Sequence, residues 1–376
     1  MVFAAFYLFV LMMFSKRVVA FKAFLLIISS RWYGGLAKEA AKYCVDNEYT
    51  DGKWVYNNDS ALNKNFICCQ STNNDYMQPI CVPNLERKGF VGSSEGYMLF
   101  HDDVCSCDRE EGTRFKISKR ERYQWKPSTC TLLEWDATQF CDLLGNRKIL
   151  FLGDSSNGHS AITLINMIND ANEICSENIR FISTPLLEPS VLTPTDIADL
   201  KKDFPDFVIA SAGHHFHEDS GKEDFNAAFD LFVSTLVDIH SQFVAHTKAA
   251  KQRKFHFIWK SINPPHIHCN KYPEPTTERV PFLHSMDPLC KWDWFDSYDD
   301  HARNATVGTA TATTSSTVST APQMLYLDMS PLLYRPDAHP RDDCLHYCAP
   351  GPLDLFPRLL LQRLYGLESS ANSGKV

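Results

Sequence analysis

The chain has 376 residues, 44% of them hydrophobic and 22% charged, with 13 Cys and a formal net charge of -8. That apolar content excludes a disordered polypeptide, and at about 150 residues per domain the length allows two or three units or one large α/β core with insertions. Asp and Glu number 45 against 37 Lys and Arg, and no Lys/Arg run is interleaved with aromatics, so no nucleic-acid partner is expected.

From the N-terminus, Met1 to Phe14 is wholly apolar, Ser15-Lys16-Arg17 interrupts, and Val18 to Ile28 is apolar again apart from Lys22. Residues 1–35 read as a targeting segment, a signal anchor in the membrane or a cleaved signal peptide, with translation from Met12 or Met13 as a variant. Neither half reaches the roughly 20 residues that span a bilayer, and a buried helix of the core is the rival reading. All the cysteines lie at or after Cys44. Pairs such as Cys68-Cys69, Cys105 with Cys107, and Cys344 with Cys348 fit an oxidised secretory domain, the odd count leaving at least one thiol free or paired between chains. Zinc is the competing use of cysteine, but no pair of Cys-x2-Cys knuckles occurs. Two glycosylation sequons, at Asn58 and Asn304, agree with a secretory route.

Residues 36–130, rich in Asn, Cys, Gly and Tyr with little periodicity, read as a Cys-rich, disulfide-tied N-terminal lobe. Residues 131–366 read as an α/β domain, followed by a tail over 367–376. In this domain the apolar runs Lys148 to Gly153, Ile179 to Ser183, Asp206 to Gly213, Phe255 to Ile262 and Met324 to Met329 have strand length. Asn157 to Ile168 carries helical spacing after the first run. Phe225, Phe229, Phe232, Leu236, Ile239 and Phe243 form one helical stripe suited to core packing. Strands alternating with helices predict a mostly parallel sheet covered on both faces. Residues 305–322, almost all Thr, Ala, Ser and Val, read as a flexible surface insertion.

Three segments carry chemistry. Gly153-Asp154-Ser155 ends a strand at the mouth of a helix, where a hydroxyl is exposed at the sheet's carboxyl edge and helix N–H groups can stabilise an oxyanion. The same triplet also suits an ordinary helix N-cap. Near the C-terminus, Asp343 and His346 are three apart, so one turn presents a carboxylate and the imidazole it orients as a base. Asp342 is an alternative orienter, and Asp337 with His339 is a competing pair. Ser211-Ala212-Gly213-His214-His215-Phe216-His217 ends another strand, with the Gly213 N–H a candidate oxyanion donor. Its three His, with His266 and His268, invite a metal reading, but consecutive His rarely face one ion and no Glu sits at metalloprotease spacing, so no metal is expected.

Together these segments resemble the trichome birefringence-like proteins, polysaccharide O-acetyltransferases of the wider SGNH and PC-esterase group. Cys44 to Val55 resembles the family's opening C-D-x-F-x-G-x-W-V, and Tyr123 to Cys130 with Asp136-Ala137 its W-x-P-x-x-C and F-D-A blocks. Asp206 to His214 is similar to D-V-L-V-F-N-T-G-H, Asn263 to His266 to S-P-x-H-F, and Asp343 to Asp354 to D-C-S-H-W-C-L-P-G-x-P-D. The resemblance implies an SGNH-hydrolase-like parallel sheet flanked by helices, in a single-pass Golgi membrane enzyme with a lumenal domain, or a secreted one. It implies acetyl transfer onto a glycan hydroxyl through an acyl-serine: Ser155 as nucleophile, His346 as base, Asp343 as orienter, and Asp154, Gly213, His214 and His266 as oxyanion or substrate-binding residues. The co-substrate would be an acetyl donor such as acetyl-CoA, with no bound cofactor. The resemblance also implies bridges from Cys344 and Cys348 to Cys269 and Cys290. Departures are Gly158 and His159 in place of the family's Arg and Asn, Ser211-Ala212 in place of Asn-Thr, and His215-Phe216 in place of paired Trp. A carbohydrate acetylesterase of the same fold is the alternative activity, and a non-catalytic glycan-binding protein the third.

Overall fold

The computed structural model describes residues 42–57, 122–169, 175–216, 222–246, 255–282, 291–312, 322–340, 343–348 and 351–373. The targeting segment, Asn58, Cys290, Asp342, His217 and most of the Cys-rich stretch lie outside the described residues. No helix among the described residues is long and apolar enough to cross a membrane. Apart from Lys42, everything described falls in the compact unit Tyr43–Val376.

Two short strands, β1 (Gly52–Tyr56) and β2 (Tyr123–Pro127), pair antiparallel with Trp54 opposite Trp125, and the Cys44–Cys130 disulfide ties the segments that lead into and out of this ribbon. Then come α1 (Ala137–Leu144), β3 (Ile149–Gly153), α2 (Ser155–Asn169), β4 (Ile179–Ser183), α3 (Pro194–Lys202), β5 (Phe207–Ser211), α4 (Lys222–His246), β6 (His256–Lys260), α5 (Phe295–Ala312), β7 (Gln323–Leu327) and α6 (Leu355–Ser373). The five later strands form one parallel sheet in the order β4-β3-β5-β6-β7. This is the α/β architecture expected from the sequence.

The strands are apolar at successive positions because both faces are covered. Ile149, Phe151, Phe181, Phe207 and Ile209 face one core layer with α1, α2 and α6. Leu150, Leu152, Val208, Ala210, Phe257 and Trp259 face the other, where the α4 stripe from Phe225 to Phe243 is buried throughout. The chain leaves β3 for β4 on one side and returns to β5 on the other. The carboxyl ends of β3 and β5, level at Gly153 and Ser211, therefore flank the crevice where open α/β sheets place ligands.

Two boundaries differ from expectation. Helix α5, which packs on β7, continues through Ala305 to Ala312, into the segment read as irregular. Residues 313–321 lie outside the described residues. Helix α6 likewise runs into the segment read as a tail, to Ser373.

Candidate active site

The triplet at the end of β3 has a physical reason at each position. Gly153 has φ +148, and a Cβ there would lie 1.8 Å from the Ser211 carbonyl oxygen, so strand β5 passes too close for any side chain. Asp154 is buried and its Oδ1 accepts the Ser156 and Asn157 amides at 3.1 and 3.4 Å, capping α2. Its Oδ2 accepts the Gly213 amide at 3.1 Å, the His214 amide at 3.4 Å and His214 Nδ1 at 2.9 Å, clamping the β3 turn to the β5 turn. Burial alone would raise the Asp154 carboxyl; attraction to His214 and the hydrogen bond from its ring outweigh this and hold it well below the usual carboxylate range. His214 Nε2 faces the Asn263 carbonyl at 3.2 Å. Both ring nitrogens thus face acceptors, which ties the β5 turn to Asp154 on one side and to Asn263 on the other.

Ser155 opens α2 and is only partly buried. Its Oγ lies 2.8 Å from His346 Nε2, and His346 Nδ1 lies 2.6 Å from Asp343 Oδ2. Asp343 Oδ1 also accepts the Leu345 and His346 amides at 2.8 and 3.0 Å. Burial pushes the Asp343 carboxyl upward, but the hydrogen bond from the His346 ring, the charge attraction to it and the two amides hold it well below the ordinary range. An ionised Asp343 accepts from Nδ1–H, leaving Nε2 bare and facing the serine hydroxyl.

The loop that carries His346 is anchored from several sides. A disulfide joins Cys344 to Cys269, the Tyr347 hydroxyl donates to the Pro264 carbonyl at 2.7 Å, and the Cys348 amide donates to Ala338 at 2.9 Å. Cys348 is also disulfide-bonded. Sequence reasoning did not assign a further bridge, Cys141–Cys175, between α1 and the segment before β4. One face of the His346 ring meets the buried His159 ring, centroids 4.7 Å apart, from one turn along α2.

Other sequence candidates take different places. The Gly213 N–H, expected as an oxyanion donor, is given to Asp154, because the β5 turn needs the carboxylate to hold it. His266, expected near substrate, is 1% exposed, with Nδ1 2.7 Å from His339 Nε2 and Nε2 3.3 Å from the Leu333 carbonyl. Burial and the neighbouring His339 push the His266 imidazole well below its ordinary value. The competing pair is separated, since Asp337 binds the buried Arg335 and His339 Nδ1 donates to the His346 carbonyl. His339 is pushed down to about 4, chiefly by burial. Asn304 is exposed on α5.

No family model matches the chain. Over 84 residues, 21% of this chain, it is 29% identical to xylan O-acetyltransferase 14 of Oryza sativa subsp. japonica, and over 51 residues, 14% of the chain, it is 31% identical to xylan O-acetyltransferases 12 and 13 of the same plant. The matched stretches span 18% of the length of the first relative and 10% of the other two. The chain is therefore similar, over a limited part of its length, to plant xylan O-acetyltransferases.

Proposed function

We propose that this chain is a glycan O-acetyltransferase that works through an acetyl-serine intermediate, with Ser155 as nucleophile, His346 as base and Asp343 as orienter. The observation that carries the reading is the relay from Ser155 Oγ to His346 Nε2 and from Nδ1 to Asp343, at 2.8 and 2.6 Å. The partial likeness to xylan O-acetyltransferases supports an acetyl group as cargo and a polysaccharide hydroxyl as acceptor.

In the first step Ser155 Oγ attacks the donor's acetyl carbonyl while its proton passes to His346 Nε2; the tetrahedral intermediate then collapses, and the leaving group departs with that proton. As the first residue of α2, Ser155 has an amide without an intrahelical acceptor, and this amide with the helix dipole is the donor suited to the oxyanion. In the second step His346 takes the proton of a sugar hydroxyl, which attacks the acetyl-serine and releases the ester product; the proton returns to Ser155. The bridges Cys44–Cys130, Cys141–Cys175 and Cys269–Cys344 suit an oxidising compartment, supporting a lumenal domain held by the N-terminal segment to a Golgi membrane, or a secreted protein.

A second reading, an acetylesterase, is favoured by one observation. The His346 and Asp343 side chains are 14% and 31% exposed, so water can reach the base. Intact-mass and peptide mass spectrometry of the purified chain after brief exposure to an activated acetyl ester decides between them. The expected result is one acetyl on Ser155 that persists in buffer and is discharged by a xylan oligosaccharide. Rapid decay in buffer alone favours the esterase, and an identical pattern in Ser155→Ala rejects the nucleophile.

A further inference from the structure

Behind the Ser155 turn lies a buried polar circuit that the two chemical steps do not use. Lys260, the last residue of β6, is 0% exposed. Its Nζ donates to Asn263 Oδ1 at 2.9 Å and to the Ser261 carbonyl at 3.3 Å. Asn263 is equally buried; its Nδ2 donates to the Ser156 carbonyl at 3.3 Å, one residue past the nucleophile. The Asn263 carbonyl accepts from His214, which pairs with Asp154, which in turn caps Ser156 and Asn157. The circuit thus closes on the first turn of α2.

A carboxamide has two ends of similar shape and opposite polarity. An ammonium beside Asn263 admits only the oxygen end there, which sends the N–H2 end to the Ser156 carbonyl. The reverse orientation would set two oxygens against each other in a buried site. We propose that Lys260 is a positioning residue for the nucleophile: by fixing the orientation of the Asn263 amide, it locks the opening turn of α2 and with it the Ser155 hydroxyl and amide. The proposal rests on Ser155 being the nucleophile.

The titratable groups facing Lys260 are Asp154 from the β3 turn and Asp299 from α5, with His214 beyond the Asn263 carbonyl. Burial pushes the Lys260 ammonium down to about 8 against the pull of both carboxylates. Burial pushes the Asp299 carboxyl up to about 8, opposed by N–H donors from Trp259 and Ile262. A neutral amine can accept as well as donate, so above that pH the selection of one Asn263 orientation lapses.

The test is the rate at which a fluorophosphonate labels Ser155, displacing fluoride from phosphorus as the serine proton passes to His346, measured from pH 6 to 10 on the purified full chain. Lys260→Met is expected to lower the rate at pH 7 by about ten- to a hundredfold, the scale of an ångström-sized misplacement, and to remove the wild-type decline above about pH 8. Asn263→Leu is expected to cost the same, with no further loss in the double variant. Asn263→Asp, which keeps an acceptor for Lys260 and loses the donor to Ser156, serves should Lys260→Met not fold, and is expected to lose labelling by a similar factor. Wild-type rates in Asn263→Asp or Lys260→Met, or losses that add in the double variant, overturn the inference alone. Labelling of Ser155→Ala at the wild-type rate overturns it together with the nucleophile assignment.

Discussion

At the scale of single residues the site depends on which carboxylates are held ionised. Asp343→Asn keeps the shape of the His346 contact but lets the ring take the wrong tautomer, so acetyl-serine formation should fall by about 10^3- to 10^4-fold in single-turnover mass spectrometry. Asp154 and Asp343 both have folded pKa values depressed below the ordinary carboxylate value of 3.8. Their stabilisation is therefore fully present above that value and is lost as pH falls toward the folded values. Asp299 has the opposite sign. Raised to about 8 from 3.8, it binds a proton on folding, so its contribution is present below about 4 and is lost as pH rises through 8. The midpoint of thermal unfolding should accordingly drop below pH 4, and Asp299→Asn should flatten the decline between pH 5 and 8. An unchanged slope in that variant would exclude a protonated Asp299.

At the scale of elements, each turn is fixed by a contact made elsewhere. Gly153→Ala forces a Cβ into the Ser211 carbonyl at a backbone angle unsuited to L residues, and should cost about 2–4 kcal/mol in denaturant titrations. The same substitution at Gly366, in α6 with nothing within 4 Å of the added Cβ, should be neutral or stabilise by up to about 1 kcal/mol. The Cys269–Cys344 bridge closes a separation of 75 residues and anchors the residue beside Asp343. Replacing both cysteines with Ser should cost about 4 kcal/mol on the loop-entropy view and slow Ser155 labelling more than it changes acceptor KM. Equal effects on both would mean that the bridge shapes the acceptor site as well.

At the scale of the whole molecule, the N-terminal ribbon meets the sheet domain around the buried Arg335. Arg335 pairs with Asp337 and lies over the rings of Trp54 and Tyr123, at 4.7 and 5.3 Å from their centroids, while Trp54 Nε1 donates to the Pro331 carbonyl at 2.8 Å. Trp125 Nε1 donates to the Tyr49 carbonyl at 2.7 Å, and the Tyr49 hydroxyl accepts the Asp328 amide at 2.9 Å, just past β7. Arg335→Met removes the guanidinium from a buried carboxylate and should cost about 3–5 kcal/mol, read by chemical denaturation, with loss of ribbon protection in hydrogen exchange. Protection lost equally in the ribbon and the sheet would show that the two unfold as one unit.

What the amino-acid order by itself determined is what short-range periodicity can encode. Strand runs buried on both faces, the Phe stripe of α4, the Gly-Asp-Ser turn and the Asp343/His346 spacing are all set by residues a few positions apart. The tertiary structure alone decided the rest. Ser155 meets His346 across a separation of 191 residues, and Asp337 is withdrawn from His339 because Arg335 takes it. The Gly213 amide goes to Asp154 because the β3 and β5 turns end level, a register that neither strand's sequence states. Lys260 lies inside the run Phe255 to Ile262, which the sequence marks only as a strand. Its burial, and the Asn263 orientation that follows, come from the tertiary packing around the end of β6, and burial is a property that spacing along a chain does not carry.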